Sequence, residues 1–283
     1  MIEVHRFRHE AMATEFEVVI AMPGISSGKA RQAAAAVFGE VDRLEQELSR
    51  FRSSSEMWRL SFLKKGESTG LDFAAWDCLS LAKAVHEETF GAFDVTMGPL
   101  MKVWRNQDGS PRQPVEGELE QIQRRIGMDK FSLDPEGLRI IVHADEIVFD
   151  LGAVGKGYAL DQAVRILEEE EITCALMNAG ESTLVAIGSP PDEEGWPVEL
   201  HLEEPQLIHL HGDALSCSGF AVQGNHIMDP RTLTPVAADG RRSYVLAPTA
   251  AMSDALSTAF MVMTDDEVKA FCQRHPMVKA IGR

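Results

Sequence analysis

Apolar side chains keep a helical spacing in some stretches of this chain and alternate with polar ones in others. Ala33, Val37, Val41, Leu44 and Leu48 recur at three- and four-residue steps with charges between them, which predicts a helix over 28–50. The same reasoning predicts a helix over 73–88, burying Phe73, Trp76, Leu79 and Val85 and ended by Gly91. Further helices are expected over 119–126, 158–170, 249–263 and 265–275. Glu15, Phe16, Glu17 and Val18 alternate within a strand expected over 5–22 and broken by Pro23-Gly24. Short β-type runs follow at 138–142, 147–151, 173–177, 184–187, 198–202, 207–210, 244–246 and 278–281. Residues 52–56 and 106–117 read as polar loops. Helices and hairpins interleave without the strict strand–helix alternation of a parallel barrel or doubly wound sheet, so the fold class is α+β. No repeat, low-complexity tract or long linker divides residues 1–283, which read as one domain.

Composition adds one constraint. With 45% hydrophobic and 25% charged residues, the 283-residue chain can bury a sizeable core. Its 27 basic against 44 acidic side chains leave a formal charge of −17. Such a balance repels phosphate backbones, which argues against nucleic acid as a partner. A phosphorylated ligand would have to find positive charge locally, from backbone amides, a helix end, a Lys or a metal. The start, with Glu3, Arg6, Arg8, Glu10, Glu15 and Glu17, shows neither a signal peptide nor a lipid-anchor Cys, so a cytoplasmic location is expected. No run of about 18 apolar residues predicts a transmembrane helix. Cys78, Cys174, Cys217 and Cys272 lie far apart and read as reduced, buried thiols.

The stretch Phe149-Asp-Leu-Gly-Ala-Val-Gly-Lys-Gly-Tyr-Ala-Leu-Asp161 runs from a buried strand through Gly152, Gly155 and Gly157 towards a helix. Such a turn lets N–H groups and the helix end face a phosphate, with Lys156 adding a full charge. It matches neither a P-loop nor the GxGxxG fingerprint, and sharp strand-to-helix turns use glycine without any ligand. On the helix Met252–Met263, Asp254, Ser257 and Thr258 share the face opposite Met252, Leu256, Ala259, Phe260 and Met263. These oxygens suit Mg²⁺, but taken alone they read better as a solvated face near a helix start. The polar loop Gly224-Asn-His-Ile-Met-Asp-Pro-Arg231 offers His226, Asp229 and Arg231, though turn chemistry alone explains Asp-Pro. In Thr89-Phe-Gly-Ala-Phe-Asp-Val-Thr-Met-Gly-Pro-Leu100, aromatics, glycines and an acid suit a flat ring against backbone, or plain core packing for Phe90 and Phe93.

Taken in order, these pieces resemble the FAD:protein FMN transferase family, the ApbE-like flavin transferases. The resemblance rests on Met12-Ala-Thr14, Leu48-Ser-Arg-Phe51 with Ser55-Glu56, Gly91-Ala-Phe-Asp94 with Gly98-Pro-Leu100, and the Asp150–Asp161 stretch. It continues through Met177-Asn-Ala-Gly180, His226-Ile-Met-Asp-Pro-Arg-Thr232, and Ala247-Pro with Asp254-Ala-Leu-Ser-Thr258, covering nearly the whole chain. It implies a T-fold-like domain of antiparallel or mixed sheet with packed helices. The implied reaction moves the FMN half of FAD onto a Thr or Ser hydroxyl of an acceptor flavoprotein, with Mg²⁺ as cofactor and AMP released. Mg²⁺ would be held by the Ala153 carbonyl, the Asp254 carboxylate and the oxygens of Ser257 and Thr258. FAD would be lined by Met12, Phe51, Arg52, Ala92, Phe93, Asp94, Asp150, Lys156, His226 and Ile227. Catalysis would fall to His226, Asp254 and Lys156, with the base for the incoming hydroxyl open between His226 and a carboxylate.

Two departures stand out. Asn178-Ala-Gly-Glu181-Ser182 replaces the family's Asn-Ala-Gly-Gly-Asp or Asn, and the lipoprotein-type start common in the family is missing. Two other readings compete: FAD pyrophosphatase, with water in place of the hydroxyl, and a non-catalytic FAD-binding protein. A homodimer is left open.

Overall fold

The computed structural model describes residues 3–106, 108, 110–219, 227–237 and 240–282. Strands β1 (His5–Ala11) and β2 (Thr14–Ile20) form a hairpin in the stretch expected as one strand over 5–22. Met12 and Ala13 make its turn at φ 51° and 58°, the left-handed conformation that tight hairpins demand, although neither is glycine. Helix α1 (Ser27–Leu48) is capped by Ser26, whose hydroxyl accepts the Lys29 amide, and buries Ala33, Val37, Val41, Leu44 and Leu48. A helix that the polar pattern hid, α2 (Glu56–Leu60), is capped by Ser55.

Strand β3 (Ser68–Gly70) precedes α3 (Phe73–Glu88). Phe73 was expected in the core but is 74% exposed, because the buried stripe is made by Ala74, Ala75, Cys78, Leu79, Ala82 and Val85. The short helices α4 (Gly98–Val103) and α5 (Glu118–Gln123) follow, then β4 (Phe131–Asp134) and β5 (Arg139–Val142), which join β3 in a sheet of order β3-β5-β4. Residues 147–151 belong to no strand; Ile147, Phe149 and Leu151 are buried, which explains their strand-like alternation. Helix α6 (Gly155–Glu169) begins ahead of the expected 158, so Gly155 and Gly157 lie in its first turn.

The remaining strands are β6 (Ala175–Ala179), β7 (Thr183–Ile187), β8 (Trp196–Leu200), β9 (Gln206–Leu210), β10 (Ala214–Gly219), β11 (Met228–Asp229), β12 (Thr234–Pro235), β13 (Arg242–Ala247) and β14 (Lys279–Ile281). Helices α7 (Ala250–Val262) and α8 (Asp265–Arg274) lie between the last two. Strand β10 escaped the pattern because Ser216 is a buried position satisfied by a hydrogen bond to Thr183 Oγ1 (3.2 Å) rather than an apolar one.

The main sheet has seven strands in the order β1-β2-β6-β7-β10-β13-β14, every neighbour antiparallel. One face packs Phe16, Val18, Ile20, Met177 and Val245 against α1, α6 and α7 in the large core. The other is covered by the β8–β9 hairpin, where Trp196, Leu200 and Leu210 meet Val19, Leu215 and Tyr244. The structure is α+β, as the pattern of elements predicted. All four cysteines are free; Cys78 and Cys174 are buried, Cys217 and Cys272 partly so. No helix among the described residues is long and apolar enough to cross a membrane.

Candidate functional site

The site grows from the place where α6 and α7 touch. A Cβ added to Gly157 would sit 2.5 Å from the Ala250 carbonyl carbon and 2.7 Å from Ala251 Cα, so only glycine lets the two helices approach this closely. Asp161, one turn further along α6, accepts the Ala250 and Ala251 amides (2.7 and 2.9 Å) and caps the start of α7 from outside. Burial pushes the Asp161 carboxyl up from its ordinary value, and those two amides oppose the shift.

The contact carries Asp254 of α7 to the first turn of α6. Its Oδ2 accepts the Gly157 N–H (3.3 Å) and lies 3.7 Å from Lys156 Nζ, and the residue is only 5% exposed. The face bearing Asp254, Ser257 and Thr258 is therefore not the solvated one it resembled: Ser257 is fully buried and Asp254 nearly so. Because Gly157 donates to Asp254 rather than back along the chain, no backbone donor among the described residues takes the Ala153 carbonyl. Lys156 Nζ donates to the Gly152 carbonyl (3.0 Å). An ammonium, a carboxylate and a helix N-terminus thus share one small region.

The glycine turn is held from its other side by Asp150. Its Oδ1 accepts the Gly152 N–H (3.1 Å), and its own N–H donates to the Val95 carbonyl (2.6 Å), which docks the 92–96 segment against the turn. Ala92 and Phe93 are buried there. Asp94 accepts from the Thr96 amide and hydroxyl (2.7 and 2.6 Å); burial raises its carboxyl above the usual range against those two bonds. Arg50, which was not among the expected site residues, brings its Nε within 3.2 Å of Asp150 Oδ2 and its guanidinium 4.4 Å over the Phe51 ring. Phe51 itself is 79% exposed. Arg52 turns the other way, pairing with Glu45 of α1 at 3.0 Å.

A group of hydroxyls adjoins Asp254. Ser218, at the end of β10, lies 2.8 Å from Ser257 Oγ and 3.1 Å from Thr258 Oγ1, while Ser257 donates to the Asp254 carbonyl (2.9 Å). Ser218 was missed because β10 itself was missed. The hairpin turns Met12-Ala13 and Gly180-Glu181 come together nearby in the sheet: β2 pairs with β6, and Gly180 donates to the Glu15 carbonyl (2.9 Å). Met12 packs at the margin of the large core. Ile227 is buried with Val236 and Met261, on the stretch of α7 that follows Thr258. His226 lies outside the described residues.

The sequence profile of the ApbE family matches residues 12–281. The chain belongs to the ApbE family. Among relatives, it is 26% identical over 272 residues to the FAD:protein FMN transferase of Klebsiella pneumoniae (strain 342), covering 88% of this chain and 76% of that protein. The Escherichia coli K12 protein of the same name is 25% identical over 275 residues, with 89% and 77% covered. The flavin transferase ApbE of Vibrio cholerae has the same fold, with a TM-score of 0.88 at 20% identity over 100% of this chain and 94% of that one. Within this ApbE-family chain, Glu181 stands at φ 56° with its side chain exposed and its N–H donated to Asn178 Oδ1 (3.0 Å).

The residues fit the divalent cation the family resemblance implies. One carboxylate, an untaken carbonyl and hydroxyls make an all-oxygen set, and Mg²⁺ uses one or two carboxylates together with substrate phosphates. No group of three or more His, Cys, Asp or Glu side chains suited to a metal occurs among the described residues, and Asp254 is the carboxylate of the implied set.

Proposed function

We propose that this protein transfers the FMN moiety of FAD to a Thr or Ser hydroxyl of an acceptor flavoprotein, with Mg²⁺ bound and AMP released. The observation that carries the reading is the convergence of Lys156, the α6 N-terminus, the Ala153 carbonyl and the buried Asp254 on one region of a −17 protein. Names of the relatives point the same way. Lys156 and the positive end of α6 bind and orient the FAD diphosphate. Asp254, Ser257, Thr258 and the Ala153 carbonyl hold the metal, which supplies charge neutralisation at the phosphate oxygens. Phe51, Ala92, Phe93 and Asp94, with Met12, Asp150, His226 and Ile227, line the pocket for the rings and ribose. The acceptor oxygen forms a bond to the FMN phosphorus, the bond to the AMP phosphate breaks, and the hydroxyl proton passes to a base, for which His226 and a carboxylate both qualify.

We take the chain as one such unit over 1–283, acting in the cytoplasm. Incubation with FAD, Mg²⁺ and a Thr-bearing acceptor peptide should yield AMP and a covalently fluorescent peptide in equal amounts. Free FMN plus AMP without acceptor would show a pyrophosphatase instead. FAD bound with no AMP formed, even with flavoproteins from the same source, would leave only a binding protein.

A further inference from the structure

The site contains a second fixed cation, and its placement gives it a task distinct from that of Lys156. Arg50 ends its side chain between three neighbours: Asp150 Oδ2 at 3.2 Å from Nε, the Phe51 ring at 4.4 Å, and Gly98, where an added Cβ would lie 2.7 Å from Nη1. The Arg50 side chain is three-quarters covered. The loop that carries it is cinched: the Ser55 hydroxyl donates to the Ser49 carbonyl, Ser55 N–H donates to Arg52 O (3.0 Å), and Ser55 Oγ caps α2. From Asp150 the chain of contacts runs on without a break, through Gly152 N–H (3.1 Å), Gly152 O to Lys156 Nζ (3.0 Å), and Lys156 to Asp254 (3.7 Å).

We infer that Arg50 is a positioning residue for flavin transfer: by pairing with Asp150 and stacking on Phe51, it fixes the aromatic wall relative to the glycine turn that carries Lys156. The shape of the guanidinium makes the role specific to arginine. It is planar, so it stacks on a ring and pairs with a carboxylate at once, which a lysine ammonium does not do. It also cancels the Asp150 charge beside the place where a diphosphate binds, in a protein already carrying −17. The inference rests on the functional reading above.

The test compares wild type with Arg50→Gln, Arg50→Lys, Asp150→Asn and the Arg50→Gln/Asp150→Asn double variant. FAD affinity is read by flavin fluorescence, and KM and kcat by AMP release. Arg50→Gln should raise Kd and KM for FAD by roughly tenfold, through loss of the Arg50–Asp150 ion pair, with kcat changed less than about threefold. Arg50→Lys should recover part of the affinity, since it restores charge without the stack. The double variant should be no worse than the worse single one, because each single change already breaks the same link. Equal FAD affinity in wild type and Arg50→Gln, or multiplied effects in the double variant, overturns the inference. A fall in melting temperature with KM unchanged overturns it too, since a purely structural role predicts that. Wild type that binds FAD but forms no AMP defeats the functional reading alone, because the affinity comparison still stands.

Discussion

Replacing Gly157 by Ala adds a single methyl, and the structure says what that methyl meets. Its three nearest neighbours are backbone: the Ala250 carbonyl oxygen and carbon and Ala251 Cα, the last at 2.7 Å. Backbone cannot swing aside as a side chain does, so α6 and α7 must part. Forced overpacking costs about 1–3 kcal/mol. Parting also stretches the Asp161 bonds to the Ala250 and Ala251 amides and the Gly157–Asp254 bond. Weakening these charge-assisted bonds adds roughly 2 kcal/mol. Alanine returns about 1 kcal/mol as the better helix former. The net loss is about 2–4 kcal/mol, a fall in Tm of roughly 3–7 °C for a protein of this size. Gly155→Ala is the matched control, because its Cβ would find only Leu151 Cβ at 3.9 Å and should stabilise by up to about 1 kcal/mol. Thermal unfolding followed by circular dichroism separates the two. Gly157→Ala melting within about 2 °C of wild type, or Gly155→Ala proving the worse of the pair, refutes the packing argument.

Asp254→Asn keeps the shape and the bond from Gly157 but removes the negative charge, and should cut Mg²⁺-dependent AMP release by about a hundredfold or more; near-normal turnover at saturating Mg²⁺ counts against Asp254 as the metal's carboxylate. Glu56, 6% exposed, has its carboxyl pushed up to about 7 by burial, against the Asp72 amide it accepts. Its folded pKa lies above the unfolded one, so its stabilising effect is complete below about pH 4.5 and lost as pH rises through 7. Glu56→Gln should flatten the fall in stability between pH 5 and 8 by roughly 2–3 kcal/mol in urea titrations; an unchanged pH slope contradicts this. Glu181→Gly relieves a left-handed residue worth about 1 kcal/mol and should leave Tm equal or slightly raised; a clear loss of stability would show that the Glu181 side chain supports the turn.

What could be read before the structure follows a physical boundary. The apolar stripe of α1 was legible because its buried residues recur at regular three- and four-residue steps with charges between them. The stripe of α3 was misjudged at Phe73 because alanines and a cysteine, not the largest side chains, make its contact. Strand β10 was invisible because Ser216 and Ser218 are satisfied by hydroxyls from β7 and α7, partners remote in sequence. The same remoteness hid the burial of Asp254. Its own helix shows a tidy polar face, and only the missing side chain of Gly157, 97 residues away, turns that face inward. Arg50 lay inside a recognised motif, yet no local spacing reports its pairing with Asp150.

That pairing alters the electrostatic picture drawn from composition. A −17 total leaves Lys156, a helix end and a divalent cation as the sources of positive charge around a diphosphate. Yet Lys156 donates to the Gly152 carbonyl and lies 3.7 Å from Asp254, so its charge is partly committed to the carboxylate that the metal would use. A cation arriving at Asp254 weakens the hold of Asp254 on Lys156, and a diphosphate arriving at Lys156 weakens it from the other side. Each ligand therefore frees a group the other needs, and the two should bind with positive cooperativity that any binding order must show equally. Asp150 presents no such conflict, because Arg50 answers its charge in place. The local balance is struck among Arg50, Asp150, Lys156 and Asp254, with the buried Asp161 coupled to Asp254.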